Sequence, residues 1–384
     1  MNGLRALALK GGVATAGRQV LGMAISFAGL AALVRLIGAA SYGVYVSAFA
    51  LYGYASIMLG LGIDVWLVRK TDEPDDLDRH QAFTLAVVAG IGGILVSLPG
   101  AWAAQAWIGV PGLKRTLMLL FATLPVQFVA LVPSAILQRR LAYGRVAVAE
   151  LSGLTAFYAA ALPLGALGLG TDAAVAGLWA QQVTAAVLLF VFSGYRPRLA
   201  WRAERLLAVL SFGLPFATAT WMWHLRALVN PLVVARLLGP EAAATVGIAL
   251  RMAESLSFMR QVAWRVALPA MSKVQSDPAR LSAAIADGMR LQLLVTGPIM
   301  LAFSLAAPLV IPLALGRDWT PMVGLFPFLA LAYLANCVFG LHFPALHVTG
   351  RNGWVGAVHV LHAALLFGAA SLLVPRYGLQ GYGF

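Results

Sequence analysis

The sequence VRLIGAASYGVYVSAFAL at residues 34–51 is matched by ARLLGPEAAATVGIALRM at residues 235–252. The RLIG of the first stretch aligns with the RLLG of the second, 201 residues later. Arginine and glycine falling in register are harder to explain by chance than the leucines and alanines of two apolar sequences. Because an internal repeat decides the architecture of a whole chain, this match is the starting point for predicting the fold.

A second match links VPSAILQRRLAYGRVAV at residues 132–148 to FPALHVTGRNGWVGAV at residues 343–358. Three aligned pairs are each 211 residues apart: Pro133 with Pro344, Arg140 with Arg351, and Tyr143 with Trp354. An even number of predicted helices separates the copies, so both copies run in the same direction. The repeat therefore predicts two parallel six-helix lobes, residues 1–200 and 201–384, around a central cavity.

The composition places both lobes in a membrane. The chain has 384 residues, of which 61% are hydrophobic and 11% charged. Soluble domains carry about 25% charged residues. Apolar runs of about 20 residues recur from end to end, and each is long enough to cross a bilayer as an α-helix. We therefore predict an all-α polytopic membrane protein with eleven spans: 13–37, 43–67, 81–103, 116–137, 147–168, 173–194, 208–236, 243–267, 289–314, 321–346 and 354–374.

The repeat predicts a twelfth helix after the eleventh span. The sequence ends at Phe384 before this helix begins, so we expect the second lobe to be incomplete.

The basic residues indicate an orientation. With the amino terminus in the cytoplasm, the loops on that side hold 16 Lys and Arg residues, against 6 on the opposite side. Because the net charge of +13 is spread over short loops, nucleic acid is not the predicted partner. One acidic segment, TDEPDDLDRH at residues 71–80, is interpreted as a solvated turn. The single cysteine, Cys337, is interpreted as a small buried residue.

The stretch from Trp221 to Arg265 breaks the charge pattern of the other spans. Arg226 lies inside one predicted span, and Arg251, Glu254 and Arg260 lie inside the next. A charge near the bilayer centre costs at least roughly 2.5 kcal/mol, so it normally faces a bundle interior or an aqueous cavity.

Two interpretations of these charges stay open. Arg251 and Glu254 stand at i and i+3, so they could form an ion pair that only fixes helix packing. Yet the stretch holds three internal arginines against one acid, which favours a cavity for an anion. The guanidinium group suits phosphate and pyrophosphate.

The remaining candidate residues are fewer. We add His224 and Arg18 to the cavity candidates, and we name Asp64 and Glu254 as candidates for proton coupling. No HExxH, P-loop or GxSxG motif occurs, and His359 and His362 lack a carboxylate partner in their helix. We therefore predict no enzyme, no cofactor and no metal site.

Three stretches resemble a known group. They are RLIGAASYGVYVSAFALYGYASIMLGLGIDVWLVRK (35–70), PSAILQRRLAYGRVAVAE (133–150) and FGLPFATATWMW (212–223). The chain resembles the polysaccharide transporter branch of the multidrug/oligosaccharidyl-lipid/polysaccharide flippase superfamily. This resemblance implies twelve or fourteen helices in two lobes. It also implies cavity arginines that meet pyrophosphate or anionic sugars, for which Arg226 and Arg251 are the candidates.

The resemblance further implies a function. It is the movement of an undecaprenyl-pyrophosphate-linked oligosaccharide across the bacterial inner membrane by alternating access. Membrane lipids and a glycosyltransferase or polymerase complex are the expected partners. Two alternatives stay open: a cation-coupled multidrug exporter of the same superfamily, and a non-transporting scaffold of a polysaccharide assembly complex. The exporter would need a carboxylate in helix 1 or helix 7, and neither predicted helix contains one.

Overall fold

The computed structural model describes residues 2–70, 72–258, 260, 263, 267, 270–272 and 274–383. Side chains are described for these residues except 2–20, 205, 208, 212, 214–216, 219 and 352. Of the described residues, 87% are helical, and no strand occurs among them. The predicted all-α class is confirmed.

The chain packs as two units, Met1–His224 and Leu225–Phe384. The first unit contains α1 (Asn2–Leu59), α2 (Ile63–Arg69), α3 (Asp76–Ile108), α4 (Leu113–Phe121), α5 (Leu124–Val129), α6 (Leu131–Arg139), α7 (Tyr143–Ala166), α8 (Thr171–Ser193) and α9 (Ala203–His224). Its largest contacts join α7 to α8 and α1 to α7. Helix α9 packs against α1, α2 and α3, which is why it groups with the first unit. Packing does not test a repeat boundary, so the lobes 1–200 and 201–384 stay a prediction.

The second unit begins with two irregular turns, a 3₁₀ turn (Leu225–Leu228) and a π-helix (Asn230–Val234). Its further helices are α10 (Ala235–Leu238), α11 (Pro240–Leu256), α12 (Pro278–Leu315), α13 (Pro321–Phe339), α14 (His342–Val348) and α15 (Asn352–Tyr377). Short 3₁₀ helices follow α12 (Arg317–Trp319) and α15 (Gly378–Tyr382). Helices α12 and α13 pack against each other, and α11 packs against α13.

Glycine breaks the helices at both copies of the first sequence match. Gly38 interrupts α1 with φ 75° and ψ 166°, between the first two predicted spans. Gly239 separates α10 from α11 with φ 87° and ψ 178°. Only glycine adopts this combination of φ and ψ readily. The two glycines that the repeat aligns therefore share one backbone conformation, in agreement with the repeat.

The second sequence match also corresponds to one local structure in both units. Pro133 is the third residue of the nine-residue α6, and Pro344 is the third residue of the seven-residue α14. A short turn follows each helix, and the long helices α7 and α15 then begin at Tyr143 and Asn352. Proline is tolerated in the first turn of a helix, where the missing N–H would have no intrahelical partner.

The loops predicted to be cytoplasmic meet at one end of the first unit. The Arg139 guanidinium donates hydrogen bonds to the carbonyl oxygens of Leu67, Val68 and Lys70 at 3.1, 3.1 and 2.7 Å. It donates a fourth to the carbonyl of Asp72 at 3.1 Å. The first three carbonyls belong to the last turn of α2 and to its C-cap Lys70, where oxygens lack helical partners and the helix dipole is negative.

Two neighbouring arginines also donate hydrogen bonds to backbone carbonyls, in this case at the end of α8. Arg140 donates to the carbonyl of Ser193, and Arg145 donates to the carbonyl of Phe192, both at 3.1 Å. The other end of the unit carries an ion pair between Arg115 and Asp172, with 2.8 Å between nitrogen and oxygen. The predicted grouping of these loops is thus consistent with the helix contacts, while a cytoplasmic amino terminus stays a prediction.

The acidic residues 72, 73, 75 and 76 are exposed, as the interpretation of a solvated turn expects, but the quoted segment continues into α3, where Asp78 is buried. Asp75 accepts a hydrogen bond from the Asp78 backbone, and the Asp78 side chain accepts one from the Asp75 backbone. This capping box satisfies N–H groups that the helix start leaves unpaired. Asp78 is fully buried and forms an ion pair with Lys70.

Eight segments of the described chain are long and apolar enough to cross a membrane. They are Leu21–Leu59, Asp76–Ile108, Leu113–Arg139, Tyr143–Ala166, Thr171–Ser193, Pro278–Leu315, Pro321–Val348 and Gly353–Tyr382. The chain is a multi-pass membrane protein. Gly38 divides the first segment into the two predicted spans. The total of eleven stays a prediction, since the predicted span 243–267 runs beyond α11 into residues only partly described.

Candidate functional site

The start of the second unit is an irregular backbone that carries Arg226. The chain changes there from a 3₁₀ turn (Leu225–Leu228) to a π-helix (Asn230–Val234), in which the N–H of Ala235 donates to the Asn230 carbonyl five residues earlier. Pro231 explains the change, because it has no N–H and its ring excludes the carbonyl four residues before it. Such π-helical turns occur frequently at functional sites.

Asn230 anchors this irregular segment inside the unit. Its side-chain amide is buried and donates a 3.0 Å hydrogen bond to the carbonyl of Ala243 in α11. The 3₁₀ turn and the π-helix both pack against α15, and the π-helix also packs against α11. Arg226 is therefore held on a short, specifically packed stretch rather than on a free loop.

A charged cluster lies around Arg226 within the second unit. The Glu254 carboxylate is 3.8 Å from the Arg260 guanidinium, and the two side chains are 56% and 22% exposed. The charges of both residues act on Arg226, which is half-buried. The three groups carry a net charge of +1, so Glu254 does not neutralise the two arginines.

Two tyrosines complete this cluster, and the sequence reasoning missed them. Tyr333 in α13 lies within electrostatic range of Arg226, Glu254 and Arg260. Tyr382, almost fully buried, interacts with Arg226 and Tyr333. The only sequence signal for Tyr333 is a hydroxyl inside an otherwise apolar span, and that signal cannot say which charges it faces.

Three histidines also interact with this part of the unit. His359 and His362, one turn apart in α15, both lie within range of the Arg226 charge, and His359 also interacts with His347. The ring of His359 lies 4.8 Å from the ring of Phe343 between centroids. Cys337 is fully buried, as predicted.

The other sequence candidates are placed as follows. Arg251 is exposed in α11, and its predicted pairing with Glu254 stays a prediction. His224 ends α9 in the first unit, with its Nδ1 2.9 Å from the Thr220 carbonyl. Asp64 is half-buried in the first turn of α2. Arg18 lies in α1, but its side chain is outside the described part of the structure.

A cavity of about 360 Å³ opens elsewhere in the second unit. It is lined by Gln275, Pro278, Leu281, His342, Ala345, Leu346, Thr349 and Arg351. None of the predicted site residues lines it. The charged cluster around Arg226 therefore remains the stronger candidate for an anion, because it combines unequal charge with an apolar environment.

The chemistry of this cluster is that of anion binding. A guanidinium offers five N–H donors in a planar fork, and each tyrosine adds one O–H donor. Arg226 is half-buried and Tyr382 is buried, and burial strengthens charge-assisted hydrogen bonds. The cluster could thus hold a phosphate or carboxylate while Glu254 limits the total positive charge.

Comparisons with known proteins identify the family. Residues 32–324 match the sequence profile of the family described as "Polysaccharide biosynthesis protein". The amylovoran biosynthesis protein AmsL of Erwinia amylovora is 22% identical over 187 residues, and the match covers 48% of each chain. The chain thus spans about half the length of the curated relative it matches.

Solved structures with the same fold include two transporters. The lipid II flippase MurJ, in an inward closed conformation, matches with a TM-score of 0.75 and 12% identity, over 98% of this chain and 83% of that one. An inward-facing multidrug resistance MATE family transporter of the MOP superfamily matches with a TM-score of 0.69 and 15% identity, over 95% and 92%. At these identities the likeness shows the fold. The chain belongs to the polysaccharide biosynthesis protein family.

Proposed function

We propose that this protein moves a lipid-linked oligosaccharide, carried on a polyprenyl pyrophosphate, across the bacterial inner membrane by alternating access. The observation that carries the proposal is the surplus positive charge of Arg226 and Arg260 over Glu254 inside an apolar helical unit. The family supports a role in polysaccharide biosynthesis. The MurJ neighbour is a lipid II flippase, and this likeness of fold is compatible with the same class of work.

Arg226 is the proposed contact for the pyrophosphate or an anionic sugar. It lies on a 3₁₀ turn that packs against α15, so its backbone is held in place before a substrate binds. Arg260 and Tyr333 supply further donors in this proposal, and Glu254 sets the charge balance. Arg251, His224 and Arg18 remain proposed secondary contacts.

The test is transport by purified full-length protein in proteoliposomes that contain a fluorescent polyprenyl-pyrophosphate oligosaccharide. Arg226→Ala is expected to lower the flipping rate about tenfold or more, since a hydrogen bond to a charged group contributes about 1.5–3 kcal/mol. Arg226→Lys should recover only part of the rate, because an ammonium keeps the charge but loses the fork. Unimpaired flipping by Arg226→Ala would remove this residue from the site.

The matched control is Arg290→Ala. Arg290 is 78% exposed on α12 and pairs only loosely with Asp287 at 3.7 Å, so its loss should leave transport unchanged. Two coupling candidates, Asp64 and Glu254, can be tested in the same liposomes with an imposed proton gradient. If Asp64→Asn and Glu254→Gln both keep the gradient dependence of wild type, neither residue carries the coupling proton.

Orientation and partners belong to the same proposal. An amino terminus in the cytoplasm would place the loops around Arg139 and Arg140 on the side where the substrate is made. A glycosyltransferase or polymerase complex would then be the expected neighbour. Efflux of cationic drugs by the same liposomes, without lipid flipping, would instead support the multidrug exporter.

A further inference from the structure

A short basic segment, residues 195–202, connects α8 to α9 without helix or strand. It reads YRPRLAWR, so three arginines alternate with a leucine and a tryptophan. Sequence reasoning counted its arginines only as orientation charges. The structure gives this basic segment a defined conformation and a defined exposed side.

One side of the basic segment is fixed to the start of α3. The Tyr195 hydroxyl is 2.9 Å from His80 Nδ1 and donates to the Arg79 carbonyl at 3.3 Å. Further along, the backbone N–H of Ala200 donates to Thr84 at 2.9 Å. The backbone N–H of Arg202 donates to the side chain of buried Gln81 at 2.6 Å. The segment is therefore a fixed element of the first unit.

The other side of the basic segment is exposed. The side chains of Arg196, Arg198 and Arg202 are exposed, and no hydrogen bond or ion pair of these three guanidinium groups occurs within the described structure. Leu199 is 72% exposed and Trp201 is 55% exposed. Nearby Arg139, Arg140 and Arg145 differ, because they donate to backbone carbonyls.

The depth of the basic segment follows from the helices that hold it. Helix α8 is a candidate span that ends at Ser193, two residues before the segment begins. Helix α3 has 33 residues, so it is about 50 Å long and exceeds the roughly 30 Å of hydrocarbon. Its residues 79–84, to which the segment is bonded, therefore lie near the membrane–water boundary.

We propose that residues 195–202 bind the anionic headgroups of membrane phospholipids. Arg196, Arg198 and Arg202 contact lipid phosphates, while Leu199 and Trp201 enter the interfacial layer beside them. Tryptophan is enriched at this depth, and basic side chains near an anionic leaflet are attracted to it. The proposal does not depend on the transported substrate, so it stands or fails separately from the function proposed above.

The test uses full-length protein in lipid nanodiscs and the fluorescence of Trp201. The contribution of Trp201 is the difference between wild type and Trp201→Phe. Equal fractions of brominated lipid are introduced either as phosphatidylglycerol or as phosphatidylcholine. Brominated phosphatidylglycerol should quench Trp201 more strongly, and 0.5 M salt should reduce this preference, because screening weakens exposed charges.

Two variants test the arginines directly. The double variant Arg196→Gln/Arg198→Gln should lose most of the preference for phosphatidylglycerol. Each arginine removed should lower this preference about fivefold. Arg376→Gln, which removes an exposed arginine in the last turn of α15, should keep it. Equal quenching by both lipids in wild type would overturn the proposal. Absence of any quenching would also overturn it, and would favour an acidic protein as the partner. If the double variant does not fold, the effect of 0.5 M salt on wild type still tests the proposal, because a preference for phosphatidylglycerol that is unchanged by salt would contradict it.

Discussion

Gly38 and Gly239 adopt the same backbone conformation, with φ/ψ of 75°/166° and 87°/178°. Each ends a helix that carries an arginine three residues earlier, Arg35 in one unit and Arg236 in the other. In both units the break between two helices therefore has the same backbone conformation, which only glycine adopts without strain.

Alanine at either glycine should destabilise the protein. No neighbouring atom crowds the position in either case, so the cost of about 1–3 kcal/mol is one of backbone strain alone. Thermal unfolding of Gly38→Ala and Gly239→Ala in detergent measures it. Gly53→Ala is the control, because Gly53 lies in α1 with open space around it and ordinary φ. Equal melting temperatures for Gly38→Ala and Gly53→Ala would contradict the argument.

Replacing Arg139, the last residue of α6, should lower the free energy of unfolding. Arg139→Gln removes donors from the carbonyls of Leu67, Val68, Lys70 and Asp72, and a hydrogen bond from a charged donor contributes about 1.5–3 kcal/mol. We expect a loss of at least that size in the free energy of unfolding. Denaturation of Arg139→Gln and of exposed Arg290→Gln provides the comparison, and similar midpoints would show that the four bonds are weak.

Tyr195 should give the protein a pH-dependent stability at alkaline pH. Burial raises the pKa of the Tyr195 phenol above its ordinary value of 10.0. Because the folded state favours the protonated phenol, this contribution is complete below about pH 10 and is lost as the pH rises through the raised pKa. Tyr195→Phe loses the hydroxyl contacts with His80 and the Arg79 carbonyl, so it should be less stable than wild type at pH 8. The difference should shrink above pH 10, as followed by thermal unfolding at each pH.

Tyr333 should affect transport more than folding. Tyr333→Phe keeps the packing of the ring in α13 and removes only the hydroxyl near Arg226 and Glu254. If that hydroxyl binds substrate, flipping in proteoliposomes should fall severalfold, since one hydrogen bond contributes about 0.5–1.5 kcal/mol. Thermal stability should change little. A large stability loss with normal flipping of the remaining folded protein would assign Tyr333 a purely structural role.

The sequence predicts the fold better than the site. Composition and run length were sufficient for an all-α membrane protein, and RLIG with RLLG located two equivalent helix breaks. The exposed turn before α3 was predicted, but the buried Asp78 was not, because its burial depends on Lys70 and on the packing of α3. Charge counting treats every residue as solvated, so it cannot find such a pair.

The candidate site shows the same limit. Arg226, Glu254 and Arg260 could be selected from sequence because charge inside an apolar span is costly and therefore conspicuous. Tyr333 and Tyr382 could not be selected, because a phenol costs little free energy in an apolar span. Their importance depends on the charged groups around them, which the sequence does not show. The helix break at Pro231 was visible as a proline, but the 3₁₀ and π turns that surround it depend on tertiary packing.

The arginine caps of the first unit have a consequence for engineering the protein. In the predicted orientation, Arg139, Arg140 and Arg145 belong to the charge bias that would orient the chain during insertion. The same guanidinium groups donate to backbone carbonyls, Arg139 at the end of α2 and the other two at the end of α8. Replacing them with lysine preserves the insertion signal but removes the planar fork. Moving the three arginines to the opposite loops would remove the hydrogen bonds that they donate to the ends of α2 and α8. The same three side chains thus serve both the orientation signal and the stability of the fold, so a substitution that changes one also changes the other.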